Sequence, residues 1–395
     1  MNKTLSIDAD RRRYLLRRYI LLTGATGLVG QYLLRDLLLL GYPVAVVVRR
    51  SRHATASQRI EAIMQRWEQE LRSRLPRPVV LSGDVCDKDL GLVADDQEWI
   101  GQNCDQIVHS AAILKFHPAP QDTDPWKTNL GGTGNVLALA RRTNIKRFHY
   151  VSTAYVCGQR QDRVWENQLD CGQTFRNDYE RSKFAAESLV HAADHLESRT
   201  IFRPAVIVGD SQTGFTASYH GLFLYLRLMA TLIPQQERNA DGIIETPIRL
   251  PLCGDEPHNL VTVDWVSRVI SQIVNNREAH GRTYHLSPDE CITTRQVIDF
   301  CCEYFNTTGV EYSHSHTESR LDNQFSRRVF ENIGIYQPYE RNDPEFDKSN
   351  VQQFAGQIAC PRIDKDMIFR FIKFAVADRW GKQRLKRKPS ELAPV

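Results

Sequence analysis

The most constraining feature of the chain is a glycine-rich turn, Thr-Gly-Ala-Thr-Gly-Leu-Val-Gly at residues 23–30, set between an apolar run at 19–22 and a leucine-rich stretch at 31–40. An apolar run that stops at glycines and resumes with helical spacing reads as strand, tight turn and helix. Each glycine has a steric task. Gly24 permits the tight turn, Gly27 lets a pyrophosphate approach the backbone, and Gly30 lets the helix pack close to its strand. The N–H groups at the helix start face the phosphates. A dinucleotide is the natural ligand. A glycine-rich turn alone can be only a turn, and it is the flanking strand and helix that make this one a nucleotide site.

Residues 43–48 form a near-continuous β-branched run, as expected of a strand buried on both faces of a parallel sheet, and the run ends in Arg49-Arg50. About 20 residues past the glycines, an NAD site usually carries an acid for the ribose 2′-hydroxyl, whereas arginine suits a 2′-phosphate. NADPH is therefore the expected cofactor, with Arg59, near the start of a helix over 58–75, as a third contact. Strands at 78–81 and 106–109 lead into Gly83-Asp84-Val85 and Ser110-Ala111-Ala112, at carboxyl ends where ligands bind in open α/β sheets. Asp84 is placed to accept from the adenine amino group, and the small Ala111 and Ala112 let the chain lie against the cofactor. Asn129 opens a helix over 130–142, and a strand at 148–151 runs into Ser152-Thr153. A helix over 179–193 then carries Tyr179 and Lys183 one turn apart on one face. A strand over 200–208 should bend at Pro204, which lacks an N–H.

This alternation predicts an α/β fold, a Rossmann-type doubly wound parallel sheet over residues 1–208, with 259–287 returning to it. The less regular 209–258 and 288–395, with helices at 293–305 and 364–378, are expected to form a smaller, discontinuous substrate-binding lobe. The apolar stretch at 222–233 is interrupted by Arg227 and is too short to span a bilayer; it reads either as the lining of an acyl tunnel or as a core helix. A net charge of +4 gives no argument for nucleic acid, and the basic clusters at 11–18 and 382–388 read as solvated ends. Nine cysteines with no C-x-x-C pair point to reduced thiols in a cytoplasmic protein, with Cys301 and Cys302 in the core. No export signal, transmembrane segment or metal ion is expected.

A tyrosine and a lysine one helical turn apart, with a hydroxyl at the end of the neighbouring strand, form a proton-transfer group beside a nicotinamide. Tyrosine titrates near pH ~10 in water, and an ammonium a few ångström away favours its phenolate. Tyr179 is the expected general acid, Lys183 its electrostatic partner and ribose anchor, and Thr153 or Ser152 the donor that positions a substrate oxygen.

The ordered set TGATGLVG, Asp84-Val85, HSAA at 109–112, Asn129, VSTAYV at 151–156, YERSK at 179–183 and RPAVIVGDSQTG at 203–214 resembles the extended short-chain dehydrogenase/reductase superfamily. The resemblance implies that Thr153, rather than Ser152, joins Tyr179 and Lys183 as a catalytic residue, with Asn129 holding a water that completes the proton path. It also implies a cofactor-contacting set of Thr23, Gly24, Thr26, Gly27, Leu28, Val29, Gly30, Arg49, Arg50, Arg59, Asp84, Val85, Ser110, Ala111, Ala112, Tyr179, Lys183, Pro204 and Val206. Within the superfamily the pattern is most similar to thioester reductase and fatty acyl-CoA reductase domains. Such domains use NADPH to reduce an acyl thioester to an aldehyde, sometimes onward to the alcohol, and need no cysteine nucleophile. The implied partner is an acyl or carbonyl substrate, delivered by coenzyme A or by a separate acyl carrier protein, for which the chain itself leaves no room. The alternative is another extended enzyme with the same triad, a nucleotide-sugar epimerase or dehydratase or a hydroxysteroid-type dehydrogenase. A non-catalytic nucleotide sensor is disfavoured by the intact Tyr–Lys pair.

Overall fold

The computed structural model describes residues 18–235, 237–250, 252–312 and 343–382, so that of the two basic clusters only Arg18 and Lys382 lie within it. The first half alternates as expected: β1 Tyr19–Thr23, α1 Leu28–Leu39, β2 Val44–Val48, α2 Ala56–Leu71, β3 Val79–Ser82, α3 Ala94–Asn103, β4 Cys104–His109, α4 Gly132–Arg142, β5 Arg147–Val151, α5 Asp178–His191 and β6 Ser198–Pro204. Short strands β7 Val206–Val208, β8 Ile244–Leu250, β9 Pro257–His258 and β10 Leu260–Thr262 follow, with α6 Leu222–Leu232 among them. The chain then forms α7 Val263–Asn275, β11 Thr283–Leu286, β12 Ile292–Thr293, α8 Thr294–Phe305, β13 Thr307–Tyr312, α9 Ser349–Ala355 and α10 Lys365–Ala377.

Seven strands make one sheet in the order β11-β6-β5-β4-β1-β2-β3. Every neighbouring pair in it is parallel. The fold is thus the expected doubly wound α/β sheet. All five residues of β2 are buried, because helices cover both faces. On one face α1, α2, α7 and α9 close a core around Trp67, Tyr32 and Tyr284. On the other, α3, α4 and α5 close one around Phe148, Tyr150 and Ile107. A further core joins α6, β8, α8 and α10 around Phe223, Leu226 and Phe371, with Cys301 buried in it.

Two departures from the expected elements have local causes. The single strand expected over 200–208 is split at Ala205. The Ala205 N–H still donates to Leu286 O in the main sheet at 3.0 Å, while the Val206 N–H donates to Asn259 O, also at 3.0 Å, and starts the pairing of β7 with β10. Pro204 ends β6, as its missing N–H requires. The helix expected from residue 130 is already wound at Lys127–Gly131, in a wider π-type turn that holds Asn129 fully buried. Residues 346–360 pack into the core beneath β11 and α7 through Phe346, Val351 and Ala355.

Candidate active site

The turn after β1 is tight for the reasons its glycines supply. Gly24 has φ +76°, and a Cβ there would meet Ala111 N at 2.5 Å. A Cβ on Gly30 would meet Gly24 O at 2.0 Å, so α1 leans directly on the turn that precedes it. Gly27 caps α1 with no side-chain hydrogen bond. The first N–H groups of the helix are therefore left for a ligand, an anion by preference.

These groups open onto a cavity of about 560 Å³ lined at one end by Gly27, Leu28, Val29, Gly30, Ser110 and Ala112. Its middle carries Thr153, Tyr179, Lys183, Pro204 and Val206. Its far end is apolar, built from Leu222, Tyr225, Leu228 and Met229 of α6, Ile248 and Leu250 of β8, Val297 and Ile298 of α8, and Val310 of β13. The cavity thus lies at the carboxyl ends of β1, β4, β5 and β6, where an open α/β sheet binds ligands.

Helix α5 delivers the central pair. Asn177 caps it by accepting from Glu180 N at 3.0 Å, and Asp178 and Glu180 place acids in its positive first turn. Tyr179 and Lys183 follow on one face. The Thr153 hydroxyl lies close enough to the Tyr179 phenol to favour its ionised form; it accepts from Tyr155 N at 3.3 Å and lies 3.5 Å from Pro204 O. Ser152 is committed elsewhere: its hydroxyl donates to Glu187 Oε2 at 2.5 Å, in a buried group where Arg203 Nη2 also reaches Glu187 Oε1 at 2.6 Å. Of the two hydroxyls, Thr153 is the one held beside Tyr179.

The electrostatics differ from expectation in one respect. Burial pushes Tyr179 up to about 12; the Thr153 hydroxyl works against that rise and Glu180 adds to it. Lys183 does not draw Tyr179 towards its phenolate, because its ammonium is turned to Tyr150 Oη at 2.7 Å and Val151 O at 2.8 Å. Burial lowers Lys183 to about 7, with Glu187 opposing.

At the far side of the turn, Arg59 Nη2 donates to Thr26 Oγ1 at 3.0 Å and Nη1 to Arg49 O at 2.6 Å. Arg49 approaches Asp84 Oδ2 at 3.6 Å. Burial and the neighbouring Arg49 charge both lower Arg59, so two guanidiniums are crowded together at the end of β2, with exposed Arg50 beside them. Crowded like charges of this kind suit a dianion.

Four residues expected to contact the cofactor or complete its proton path also make close contacts within the protein. Thr23 is fully buried and hydrogen-bonds His109 Nδ1 at 2.7 Å. Val85 packs beneath Gly132. Ala111 forms the floor under Gly24. Asn129 pins a loop, accepting from Ile113 N at 2.8 Å and donating to Ser182 Oγ at 2.9 Å. Sequence reasoning missed Tyr150, Thr133 and His109, polar side chains wholly buried behind Lys183. The available signal was His109 and Tyr150 on strands that are otherwise apolar.

A family model described as male sterility protein matches residues 22–270. The chain belongs to this family. It is of the extended short-chain dehydrogenase/reductase type, with the thioester reductase pattern, a type that takes a nicotinamide cofactor. Aldehyde reductase lnaA of Aspergillus flavus is 27% identical over 399 residues, covering 90% of this chain and 36% of that protein. The nonribosomal peptide synthetase asaC of the same organism is 27% identical over 286 residues, covering 68% of this chain and 26% of that protein. The chain spans a minor part of the length of either relative. Among solved structures, the terminal R domain from the myxalamid PKS-NRPS biosynthetic pathway has a TM-score of 0.73 at 24% identity, covering 93% of this chain and 92% of that one. UDP-glucuronic acid 4-epimerase from Bacillus cereus in complex with NAD gives 0.60 at 18%, covering 92% and 98%. Both share the fold. Among the described residues, no helix is long and apolar enough to cross a membrane.

Proposed function

We propose that this oxidoreductase reduces an acyl thioester with NADPH, to an aldehyde or onward to the alcohol. The observation that carries the reading is the single cavity in which an uncapped helix start, the Thr153–Tyr179–Lys183 group and a long apolar end succeed one another. Gly24, Gly27 and the N–H groups of Leu28, Val29 and Gly30 would hold the pyrophosphate. Arg49, Arg50 and Arg59, with the Thr26 hydroxyl, would hold the 2′-phosphate that separates NADPH from NADH. Asp84 would take the adenine, and Ser110, Ala112, Pro204 and Val206 the nicotinamide half. The cofactor supplies a hydride at nicotinamide C4.

Thr153 and Tyr179 donate to the thioester oxygen as its charge develops, and Tyr179 delivers its proton there; the hemithioacetal so formed breaks its C–S bond, releasing the carrier thiol and leaving the aldehyde. A phenol raised to about 12 holds that proton until an alkoxide is present to take it. Lys183 uses two N–H groups on Tyr150 and Val151 and has a third for a ribose hydroxyl, while Asn129 fixes the loop that frames the group. The apolar end, built from α6, β8, α8 and β13, takes the acyl chain. Coenzyme A or a separate acyl carrier protein delivers it.

The test follows consumption of reduced nicotinamide by the purified chain with octanoyl-CoA and with octanoyl-pantetheine. The reading predicts turnover with NADPH and formation of octanal or octanol. It also predicts a loss of about 100-fold or more in kcat for Tyr179→Phe with unchanged folding, the scale expected on removing a general acid. Full turnover by Tyr179→Phe contradicts it.

A further inference from the structure

Thr133, His109 and Thr23, buried behind Lys183, have one consistent arrangement of protons. Thr133 Oγ1 donates to Asn129 O at 2.6 Å and has no second proton. It must therefore accept from His109 Nε2, 3.0 Å away. His109 then carries its proton on Nε2, which leaves Nδ1 to accept from Thr23 Oγ1 at 2.7 Å. The Tyr150 oxygen accepts from Lys183 Nζ at 2.7 Å. Tyr150, Thr133, His109, Asn129 and Thr23 are all fully buried, and Lys183 is 1% exposed. A mispaired member would cost the desolvation of a buried polar group, so the arrangement is over-determined.

From this geometry we propose that Tyr150 is the positioning residue for Lys183, its phenol oxygen holding the ammonium by a direct hydrogen bond. The inference rests on the reductase reading, in which Lys183 must be a donor to the cofactor ribose. Tyr150 acts through Lys183 and lies outside the cavity lining. Its oxygen accepts from the ammonium, so it favours the charged lysine and aims the remaining N–H into the cavity. Other groups act on Lys183 as well. Glu187 on its own helix favours its charge, and Arg203 of β6 pairs with Glu187. His109 of β4, held neutral by burial, is itself lowered by the Lys183 charge. Tyr179 shares its face of α5. Among these, Tyr150 and Val151 are the direct acceptors.

The test compares wild type, Tyr150→Phe and Thr133→Val, using octanoyl-CoA turnover across pH and NADPH binding followed by nicotinamide fluorescence. Phenylalanine keeps the ring and deletes the acceptor, so Lys183 loses its proton at lower pH. The alkaline limb of kcat/KM should move down by about one pH unit, the scale of one hydrogen bond to a charged group. NADPH affinity should fall about tenfold, with Thr133→Val giving smaller changes of the same sign. A role confined to packing predicts a lower melting temperature with the wild-type pH limb and affinity, and that result overturns the proposal. If Tyr150→Phe fails to fold, Thr133→Val carries the same comparison. If wild type does not turn over octanoyl-CoA, the reductase reading fails on its own, while the fluorescence titration still shows whether nucleotide affinity depends on Tyr150 and pH.

Discussion

Burial draws Lys183 down to about 7 and Glu187 draws it up, so its proton is held against the cost of desolvation. Unfolding returns the side chain to an ordinary lysine value of 10.5. Between about pH 7 and 10 the unfolded chain binds the proton and the folded chain does not, so stability contributed at this position rises with pH through that window. Lys183→Met, which cannot titrate, should lose ground to wild type in melting temperature as pH rises from 7 to 10; a pH-independent difference would mean that Lys183 is not buried as described. Arg59 belongs to the same scale. It reaches both Thr26 and the Arg49 carbonyl, and Arg59→Ala removes the more buried of two crowded cations. NADPH should bind about tenfold or more weakly, as expected for one charge-assisted hydrogen bond, with NADH affinity unchanged. Equal losses for both nucleotides would remove the 2′-phosphate assignment.

At the scale of elements, the contact between α1 and its turn can be broken by one methyl group. In Gly30→Ala the new Cβ would meet Gly24 O at 2.0 Å and Gly24 C at 2.6 Å, both backbone atoms that cannot swing aside. An overpacking cost of about 1–3 kcal/mol and a marked loss of dinucleotide binding should follow, read by melting temperature and by titration with NADPH. The elements also show what a sequence makes legible. β2 is readable because five consecutive buried residues leave no other assignment for a β-branched run. α2 starts two residues earlier than its apolar spacing implied, because Thr55 and Gln58 form a capping box that initiates it. The split at Ala205 was half visible: Pro204 announces a break, but only the distant Asn259 carbonyl shows where the chain goes next. Tyr179 and Lys183 were legible from helical spacing. Their electrostatics were not, because the partner of Lys183 is Tyr150, on a strand 33 positions away in sequence.

At the scale of the whole molecule, the sheet supplies one half of the cavity and the apolar elements beyond it supply the other. The second half was hard to read because its pairings are remote: β8 pairs with β13 in parallel, joining residues about 60 positions apart that share no local pattern. The stretch at 222–233 places Phe223 and Leu226 in the core and Leu228 on the cavity lining. Met229→Trp, on the cavity side of α6, should abolish turnover of long acyl chains while sparing acetyl-CoA; an equal loss for both would place the acyl chain elsewhere. In the proposed reaction hydride passes from NADPH to a thioester carbonyl held by Thr153 and Tyr179. The direct measurement is mass spectrometry of the product formed from octanoyl-CoA and NADPH deuterated at nicotinamide C4. Octanal or octanol should carry deuterium at C1, formed about 100-fold or more slowly by Tyr179→Phe. Unlabelled product, or labelled product formed at the same rate by both proteins, would contradict that reaction.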